Sequence, residues 1–225
     1  LGLSMDKKEA LEIVKDKGRE LENLPAHLKK DIKIVLEALK QGGHNLQYAD
    51  NSLKKDKLFI LRVVKRYGDA LKYADDSLKK DKKIVFEAVK QWGYALKYAT
   101  DDSFKKDKDF ILAAVKKSGT ALAYADDSFK KDKEIVFEAV KQTGNALNYA
   151  DDCLHKDKDF ILKVMKKSGT ALEYADDSFK KDKEIVSEAV KQWGYALKNA
   201  DDSLKKDKEI VFEAVKRHGD ALQYA

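Results

Sequence analysis

An aspartate and a glycine twelve residues apart recur nine times in this chain, and no other feature constrains the fold as much. Successive pairs are 25 residues apart, except where one extra residue, Thr100, is inserted. Self-similarity at a fixed period is typical of solenoids, in which each repeat packs mainly on its neighbours. The pairs are Asp6/Gly18, Asp31/Gly43, Asp56/Gly68, Asp81/Gly93, Asp107/Gly119, Asp132/Gly144, Asp157/Gly169, Asp182/Gly194 and Asp207/Gly219.

The fourth repeat shows the pattern that predicts a long helix in each unit. Asp81 suits an N-cap, because its carboxylate can accept hydrogen bonds from the free backbone N–H groups of a helix start. Gly93 suits the left-handed residue that commonly ends a helix. We therefore predict helix A over Lys82–Trp92, with one apolar stripe formed by Ile84, Val85, Ala88 and Val89.

A second, shorter helix is expected after each glycine. In the fourth repeat, Tyr94–Ala99 has apolar residues compatible with one helical face, so we predict a helix B of about two turns. Asp101, Asp102 and Ser103 are expected to close it before a connecting turn. The apolar residue of that turn recurs and should fill the joint between repeats: Leu28, Leu53, Leu78, Phe104, Phe129, Leu154, Phe179 and Leu204.

These elements predict an all-α fold: an α-solenoid, or curved superhelix, of nine helical hairpins of about 25 residues, each with a longer helix A and a short helix B. We expect a single repeat domain over residues 1–225. Residues 1–24 form a divergent N-terminal capping repeat, since Glu9 occupies an otherwise apolar position, and residues 25–225 form eight regular repeats. Two interpretations of the last repeat stay open: either further repeats follow it, or it packs on something else.

The helix cores alternate between two types until the last two repeats, which are both of the Ile-Val type, with Ser187 in place of the expected Phe. One type carries Ile-Val-Phe at the third to fifth positions after the cap, as at Ile84–Phe86. The other carries Phe-Ile-Leu, as at Phe110–Leu112. Alternating bulk lets facing side chains interdigitate, so we predict that the underlying unit is a pair of repeats, near 50 residues.

Composition limits the class of protein. Charged residues make up 38% of the chain, and only one proline is present, which disfavours a disordered or proline-rich segment. No apolar run is long enough for a membrane span, and no signal peptide is recognisable. A single cysteine, Cys153, suits a reducing compartment. We expect a cytoplasmic or otherwise intracellular protein, and the initial Leu1 leaves room for an upstream segment.

The repeats resemble a known family. The stretch Tyr73–Leu96 reads YADDSLKKDKKIVFEAVKQWGYAL. This order of cap aspartate, Ile-Val pair, Ala-Val-Lys-Gln, glycine, Ala-Leu and Tyr-Ala resembles the tandem repeats of the domain-of-unknown-function family DUF4116. The resemblance covers nearly the whole chain from Pro25 to Ala225. It implies no chemistry and no functional residues, but at family level it suggests a host-directed effector, so delivery into a host cell is an expectation.

The sequence predicts no enzyme. The histidines, His27, His44, His155 and His218, occupy four different places in the repeat, and none of the common catalytic or metal-binding motifs is present. Cys153 stands where most repeats have serine, which favours a replaced serine over a nucleophile. The Asp-Asp pairs are expected to serve helix ends, so we predict no metal and no cofactor.

The two residues that flank each repeat glycine are the candidate binding residues, because they are among the most variable positions in an otherwise uniform repeat. Trp and Tyr are the usual anchors of protein interfaces. If the residue after the glycine caps helix B, a tyrosine there breaks the local rule, which often marks function. The alternative is that the rings simply cover the joint between repeats. The candidates are Trp92, Tyr94, Trp193, Tyr195, Tyr67 and His218.

A second feature, a recurring Lys-Lys pair, leaves the class of partner open. A mixed-charge solenoid is expected to bind an unidentified protein, as an interaction scaffold. A cationic stripe beside aromatic rings would instead suit a single-stranded nucleic acid. The second interpretation requires a groove without aspartates. The pairs are Lys54/Lys55, Lys79/Lys80, Lys105/Lys106, Lys130/Lys131, Lys180/Lys181 and Lys205/Lys206, with Lys156 beside His155.

Overall fold

Residues 5–225 are described by the computed structural model, and over that range the chain is helical without any β-strand. Contacts between Cα atoms divide the chain into two compact units, Leu1–Lys105 and Lys106–Ala225. Both units are built from tandem helical repeats of about 25 residues, as the Asp-to-Gly spacing predicts. No described helix has the length and apolar character that crossing a membrane requires.

The long helix of each repeat begins after its cap aspartate, which confirms the predicted N-cap. Asp81, for example, accepts hydrogen bonds from the backbone N–H groups of Lys83 at 3.0 Å and Ile84 at 3.1 Å. The nine long helices of the described chain are α1 Lys7–Asp16, α2 Ile32–Leu39, α3 Lys57–Val64, α4 Lys82–Gln91, α5 Lys108–Lys117, α6 Lys133–Gln142, α7 Lys158–Met165, α8 Lys183–Gln192 and α9 Lys208–Arg217.

The predicted helix B is a three-ten helix that begins at the repeat glycine itself. In the fourth repeat, the Ala95 N–H donates to the carbonyl of Trp92 at 2.8 Å, three residues back. Such bonds wind the backbone more tightly than an α-helix does. These helices are η1 Gly18–Asn23, η2 Gly43–Tyr48, η3 Gly68–Tyr73, η4 Gly93–Tyr98, η5 Gly119–Tyr124, η6 Gly144–Tyr149, η7 Gly169–Tyr174, η8 Gly194–Asn199 and η9 Gly219–Tyr224.

The Asp-Asp-Ser motif begins an element rather than closing one, and the expected connecting turn is a short helix. Asp126 accepts from the backbone N–H of Ser128 at 3.0 Å and from its hydroxyl at 2.8 Å. The second aspartate, Asp127, pairs with Lys130 at 2.9 Å. The connecting helices span Leu28–Lys30, Asn51–Lys55, Leu78–Lys80, Asp102–Lys106, Asp127–Lys130, Asp152–His155, Asp177–Lys180 and Asp202–Lys205.

The repeat glycines do not adopt the left-handed conformation that the sequence suggests. Only Gly42 has a positive φ, 153°, among the described residues. Helix α4 ends at Gln91, and the next residue, Trp92, is extended, with φ at −147°. The glycines are needed because the next repeat approaches closely. A Cβ on Gly68 would lie 2.5 Å from the carbonyl oxygen of Ala88, well inside van der Waals contact.

Each of the first eight repeats buries one side of its long helix together with the leucine of its three-ten helix, whereas Leu222 of the ninth repeat is exposed. Ile84, Val85 and Leu96 are fully buried, and each such side chain contributes about 1.5–3 kcal/mol relative to exposure. The apolar residue of the connecting helix is buried as predicted in most repeats, for example Leu78 and Leu154. The core therefore runs between successive long helices and the three-ten helices beside them.

Candidate functional site

In five repeats, the two residues that flank the repeat glycine contact each other, and their chemistry is matched. Helix A ends at the first residue, the three-ten helix begins at the glycine, and the chain reversal brings both side chains together. Hydroxyl or amide groups pair with one another, and rings pair with rings. The pairs are Ser118/Thr120 at 3.0 Å, Thr143/Asn145 at 2.9 Å, Ser168/Thr170 at 3.0 Å, and, between ring centroids, Trp92/Tyr94 at 5.8 Å and Trp193/Tyr195 at 5.0 Å.

This arrangement corrects one premise of the sequence analysis. The residue after the glycine is not an N-cap, because the three-ten helix starts at the glycine and the residue before it occupies the cap position. At Trp92 and Trp193 that residue makes no side-chain cap hydrogen bond. Tyr94 and Tyr195 therefore break no capping rule. They stand where a ring can pack on the preceding tryptophan.

In the first unit, the aromatic cluster consists of Trp92, Tyr94 and Tyr98. The centroid of the Trp92 ring lies 5.8 Å from that of Tyr94 and 6.2 Å from that of Tyr98. Tyr67 belongs to the preceding repeat, and the guanidinium of Arg66 lies 5.6 Å from its ring centroid. Lys97 covers the Tyr98 ring at 5.2 Å. The structure thus brings together Trp92 and Tyr94, two of the predicted residues.

In the second unit, Trp193, Tyr195 and His218 form one cluster. Ring centroids are 4.9 Å apart for Trp193 and His218, and 4.6 Å apart for Tyr195 and His218. Tyr224, at the end of η9, completes the cluster at 6.3 Å from Tyr195, with an interplanar angle of 86°. Edge-to-face and tilted ring pairs of this kind hold side chains in fixed orientations.

Hydrogen bonds across the repeat joint fix this second cluster. The N–H of Gly194 donates to Nδ1 of His218 at 3.1 Å, which places the proton of the neutral ring on Nε2. The Tyr195 hydroxyl donates to Oδ1 of Asp220 at 2.6 Å. That hydrogen bond to a carboxylate raises the pKa of Tyr195 above its ordinary value. Asp220 therefore keeps the phenol protonated and oriented.

The cluster lines a groove on the exposed side of the last three-ten helices. The groove encloses about 450 Å³, and Trp193, Tyr195 and Tyr224 form its apolar walls. Two carboxylates, Glu173 and Asp220, also line it. The groove is open to solvent and combines aromatic rings with charged and amide side chains, so its lining is more polar than apolar.

Both tryptophans also cover the joint between repeats, so each ring has a buried and an exposed part. The Cβ of Trp193 lies 2.8 Å from where a Cβ on Gly169 would be, and Trp92 stands in the same relation to Gly68 at 3.0 Å. Nevertheless, Trp92 is 36% exposed and Trp193 38% exposed. Packing against the joint fixes these rings, and the exposed part remains available for contact.

Most of the Lys-Lys pairs form ion pairs with aspartates. In five of the six pairs, the first lysine forms an ion pair with the aspartate three residues earlier. Lys54 has Asn51 at that place and donates instead to the backbone carbonyl of Gln47 at 2.6 Å. The second lysine of a pair lies near the first aspartate of the next Asp-Asp pair, as Lys131 does to Asp151 at 3.8 Å. The ion pairs of the first kind are Lys79–Asp76, Lys105–Asp102, Lys130–Asp127, Lys180–Asp177 and Lys205–Asp202.

The lysine pairs and the aromatic clusters also lie at opposite ends of the long helix. Lys80 precedes the cap of α4 and Trp92 follows its last residue, so a helix of 10 residues, about 15 Å long, separates them. A cationic stripe free of aspartates and interleaved with rings is therefore not what the described residues form.

The described residues offer neither a metal cluster nor an activated thiol. Over residues 5–225, no three His, Cys, Asp or Glu side chains come together in a way that could hold a metal ion. Cys153 is exposed and takes the place of the serine in its Asp-Asp-Ser motif. Its hydrogen bond to Asp151 raises the pKa of the thiol, which disfavours the reactive thiolate.

The chain matches the family described as "Domain of unknown function (DUF4116)" over residues 6–54, 56–105, 107–154, 157–204 and 188–225. These segments cover nearly all of the chain. The protein belongs to the DUF4116 family. Each of the first four segments contains two consecutive Asp-to-Gly intervals, which agrees with a pair of repeats as the unit. No curated protein and no solved structure matches the chain.

Within these DUF4116 repeats, sequence reasoning missed Glu173, Asp220 and Tyr224. A signal was available for Asp220, because Tyr195 and Asp220 both directly follow a repeat glycine and are one repeat apart. Stacking of successive repeats places such residues side by side. Glu173 and Tyr224 become part of the site only because η7, η8 and η9 are neighbours in the fold.

Proposed function

We propose that this DUF4116 array is a non-catalytic scaffold that binds another protein through the exposed side of its three-ten helices. The observation that carries this proposal is the half-exposed Trp-Tyr pair at the same repeat position in each unit, Trp92/Tyr94 and Trp193/Tyr195. Tryptophan and tyrosine supply large, rigid contact area and dominate the binding energy of protein interfaces.

The surroundings of the rings support a protein partner more than a nucleic acid. Nucleic-acid binding draws its affinity from cations that neutralise phosphates, and it needs those cations unpaired. Lys130 and Lys180 already hold carboxylates at 2.9 and 3.0 Å, and the aspartates of that ladder would repel a phosphate backbone. The single thiol suits a reducing compartment, so we place the interaction inside a cell.

The first experiment tests the rings directly. The double variant Trp92→Leu with Trp193→Leu keeps an apolar side chain over each repeat joint but removes the exposed ring. In affinity capture followed by cross-linking, we expect the variant not to bind the partner proteins that the wild-type chain binds. Its melting temperature should stay close to that of the wild type. The matched control is Lys130→Gln with Lys180→Gln, which should retain the captured proteins.

Two results would count against the proposal. Capture that is unchanged in the double Leu variant would remove the rings from the interface. A large fall in its melting temperature would assign both rings to the core. Binding of labelled single-stranded RNA at physiological salt, abolished by the Lys130→Gln and Lys180→Gln control, would instead support the nucleic-acid alternative.

A further inference from the structure

The two aromatic clusters differ in what accompanies their rings. In the first unit, lysines already cover tyrosine rings: Lys72 lies 5.1 Å from the Tyr73 centroid and Lys97 lies 5.2 Å from the Tyr98 centroid. In the second unit, the repeat position of Lys72 is occupied by Glu173, and that of Tyr98 by Asn199. The second cluster therefore has an acid where the first has a base.

In the second cluster, Trp193 and Tyr195 pack against the ring of His218 rather than against a lysine or arginine. Among the residues that the structure describes, no lysine or arginine lies over Trp193, Tyr195 or Tyr224. Lys198 lines the groove but covers none of these rings. With Glu173 and Asp220 beside it, the groove has a net charge of −1, in a chain whose formal net charge is +6. This is a local reversal of sign on a basic protein.

We propose that the groove lined by Trp193, Tyr195, Tyr224, Glu173 and Asp220 binds an arginine side chain of a partner protein. This inference rests on the proposed protein-binding function and names the chemistry that the site would recognise. A cation over an aromatic face is stabilised by the ring quadrupole, and the carboxylates supply the opposite charge. Both contributions act on the same bound group.

Arginine suits this groove better than lysine does. A guanidinium is planar, so it can stack on one ring while its N–H groups point to a carboxylate in the same plane. Trp193 and Tyr195 meet at 68°, and Tyr195 and Tyr224 meet at 86°, which gives the groove walls that face different directions. Asp220 holds the Tyr195 hydroxyl with one oxygen, and its other oxygen can accept from the guanidinium.

The test uses the full chain and two peptides that differ only in charge. A short peptide of alternating Gly and Arg is titrated against one in which citrulline, a neutral isostere, replaces each Arg. In the Trp92→Phe background, Trp193 is the single tryptophan and its fluorescence reports binding. At physiological salt, we expect the citrulline peptide to bind at least about tenfold more weakly.

Three variants locate the binding, each measured by calorimetry with the arginine peptide. Asp220→Asn keeps an oxygen that can accept from Tyr195 but removes the charge, and Tyr195→Leu removes a wall. We expect each to weaken binding about tenfold. Asp177→Asn removes an exposed carboxylate of the same unit that pairs with Lys180, outside the groove, and should leave binding unchanged. Equal melting temperatures confirm that all variants are folded.

The proposal is overturned if the two peptides bind equally, or if Asp177→Asn weakens binding as much as Asp220→Asn does. The first result would show that binding does not require a cation. The second would show that Asp220→Asn weakens binding only by changing the net charge of the protein. Either failure can be told apart from failure of the protein-binding function. The latter is decided by whether the double Trp92→Leu and Trp193→Leu variant still captures its proteins.

Discussion

At the scale of single residues, the repeat glycines show how a neighbouring repeat selects an amino acid. Any residue could adopt their backbone angles, because none of them has a positive φ. Among the described residues only Gly42, which is not a repeat glycine, has one. What a side chain would meet is the next repeat. A Cβ at Gly169 would clash with the Ala189 carbonyl and would lie 2.8 Å from the Cβ of Trp193. Gly219 has nothing within 4 Å of that position.

This contrast gives a prediction with a built-in control. Gly169→Ala should lower the free energy of unfolding by about 1–3 kcal/mol, because a backbone carbonyl cannot move away without shifting the helix that carries it. Gly219→Ala should be neutral or stabilise by up to about 1 kcal/mol, because alanine restricts the unfolded chain and meets no atom here. Urea denaturation of both variants measures the difference.

Equal losses of unfolding free energy for Gly169→Ala and Gly219→Ala would show that the backbone conformation, rather than the neighbouring repeat, requires glycine. The same comparison applies to Gly144, where an added Cβ would lie 2.8 Å from the backbone nitrogen of Ala171. We expect Gly144→Ala to be destabilising as well.

At the scale of elements, each cap aspartate has two roles. Asp132 accepts from the N–H groups of Glu134 and Ile135 at 2.9 and 3.2 Å, which satisfies the start of α6. It also pairs with Lys108 of the preceding repeat at 2.8 Å. The cap is local to one helix, whereas the ion pair joins two repeats of the second unit.

Two substitutions separate these roles. Asp132→Asn should cost no more than about 1 kcal/mol of unfolding free energy, because asparagine caps nearly as well and an exposed ion pair contributes little. Asp132→Ala should cost about 1–2 kcal/mol, because the free N–H groups lose their acceptor. Thermal unfolding monitored by circular dichroism gives both values. Equal costs for the two variants would mean that the ion pair, rather than the cap, stabilises this joint.

At the scale of the whole molecule, a ladder of ion pairs joins neighbouring repeats within each unit. The lysine that follows one cap aspartate reaches the cap aspartate of the next repeat. Lys57 binds Asp81 at 2.6 Å, Lys133 binds Asp157 at 2.5 Å, and Lys183 binds Asp207 at 2.9 Å. In each case the hydrogen bond from the lysine holds the pKa of the aspartate below its ordinary value of 3.8.

This ladder predicts how stability depends on pH. Because these pKa values are lower in the folded than in the unfolded state, the aspartates stabilise the fold fully above the unfolded value of 3.8. The free energy of unfolding should therefore be flat from neutral pH towards that value. It should fall as the pH drops below it, through the lower folded-state values.

Urea titrations at a series of pH values test this prediction. The triple variant Asp81→Asn, Asp157→Asn and Asp207→Asn, which cannot titrate at these positions, should lose less stability on acidification than the wild type does. If the stability of the two proteins falls identically with pH, these ion pairs are not the cause of the acid dependence.

The sequence alone determined the repeat length, the position of each long helix and its cap, and most of the core, because these follow from periodicity and local hydrogen bonding. The Asp-to-Gly spacing predicted α4 over Lys82–Trp92, and the helix spans Lys82–Gln91. The candidate rings at Trp92 and Trp193 were visible as exceptions in a uniform pattern. All of these are properties of residues near one another in the chain.

Only the tertiary structure decided what depends on contacts between repeats. Periodicity cannot distinguish a three-ten helix from a short α-helix over six residues, and it cannot show that a carbonyl of the next repeat stands over Gly68. Nor does the sequence show that Tyr195 reaches Asp220, because residues 25 positions apart become neighbours only when repeats stack. The acidic groove exists because of that stacking.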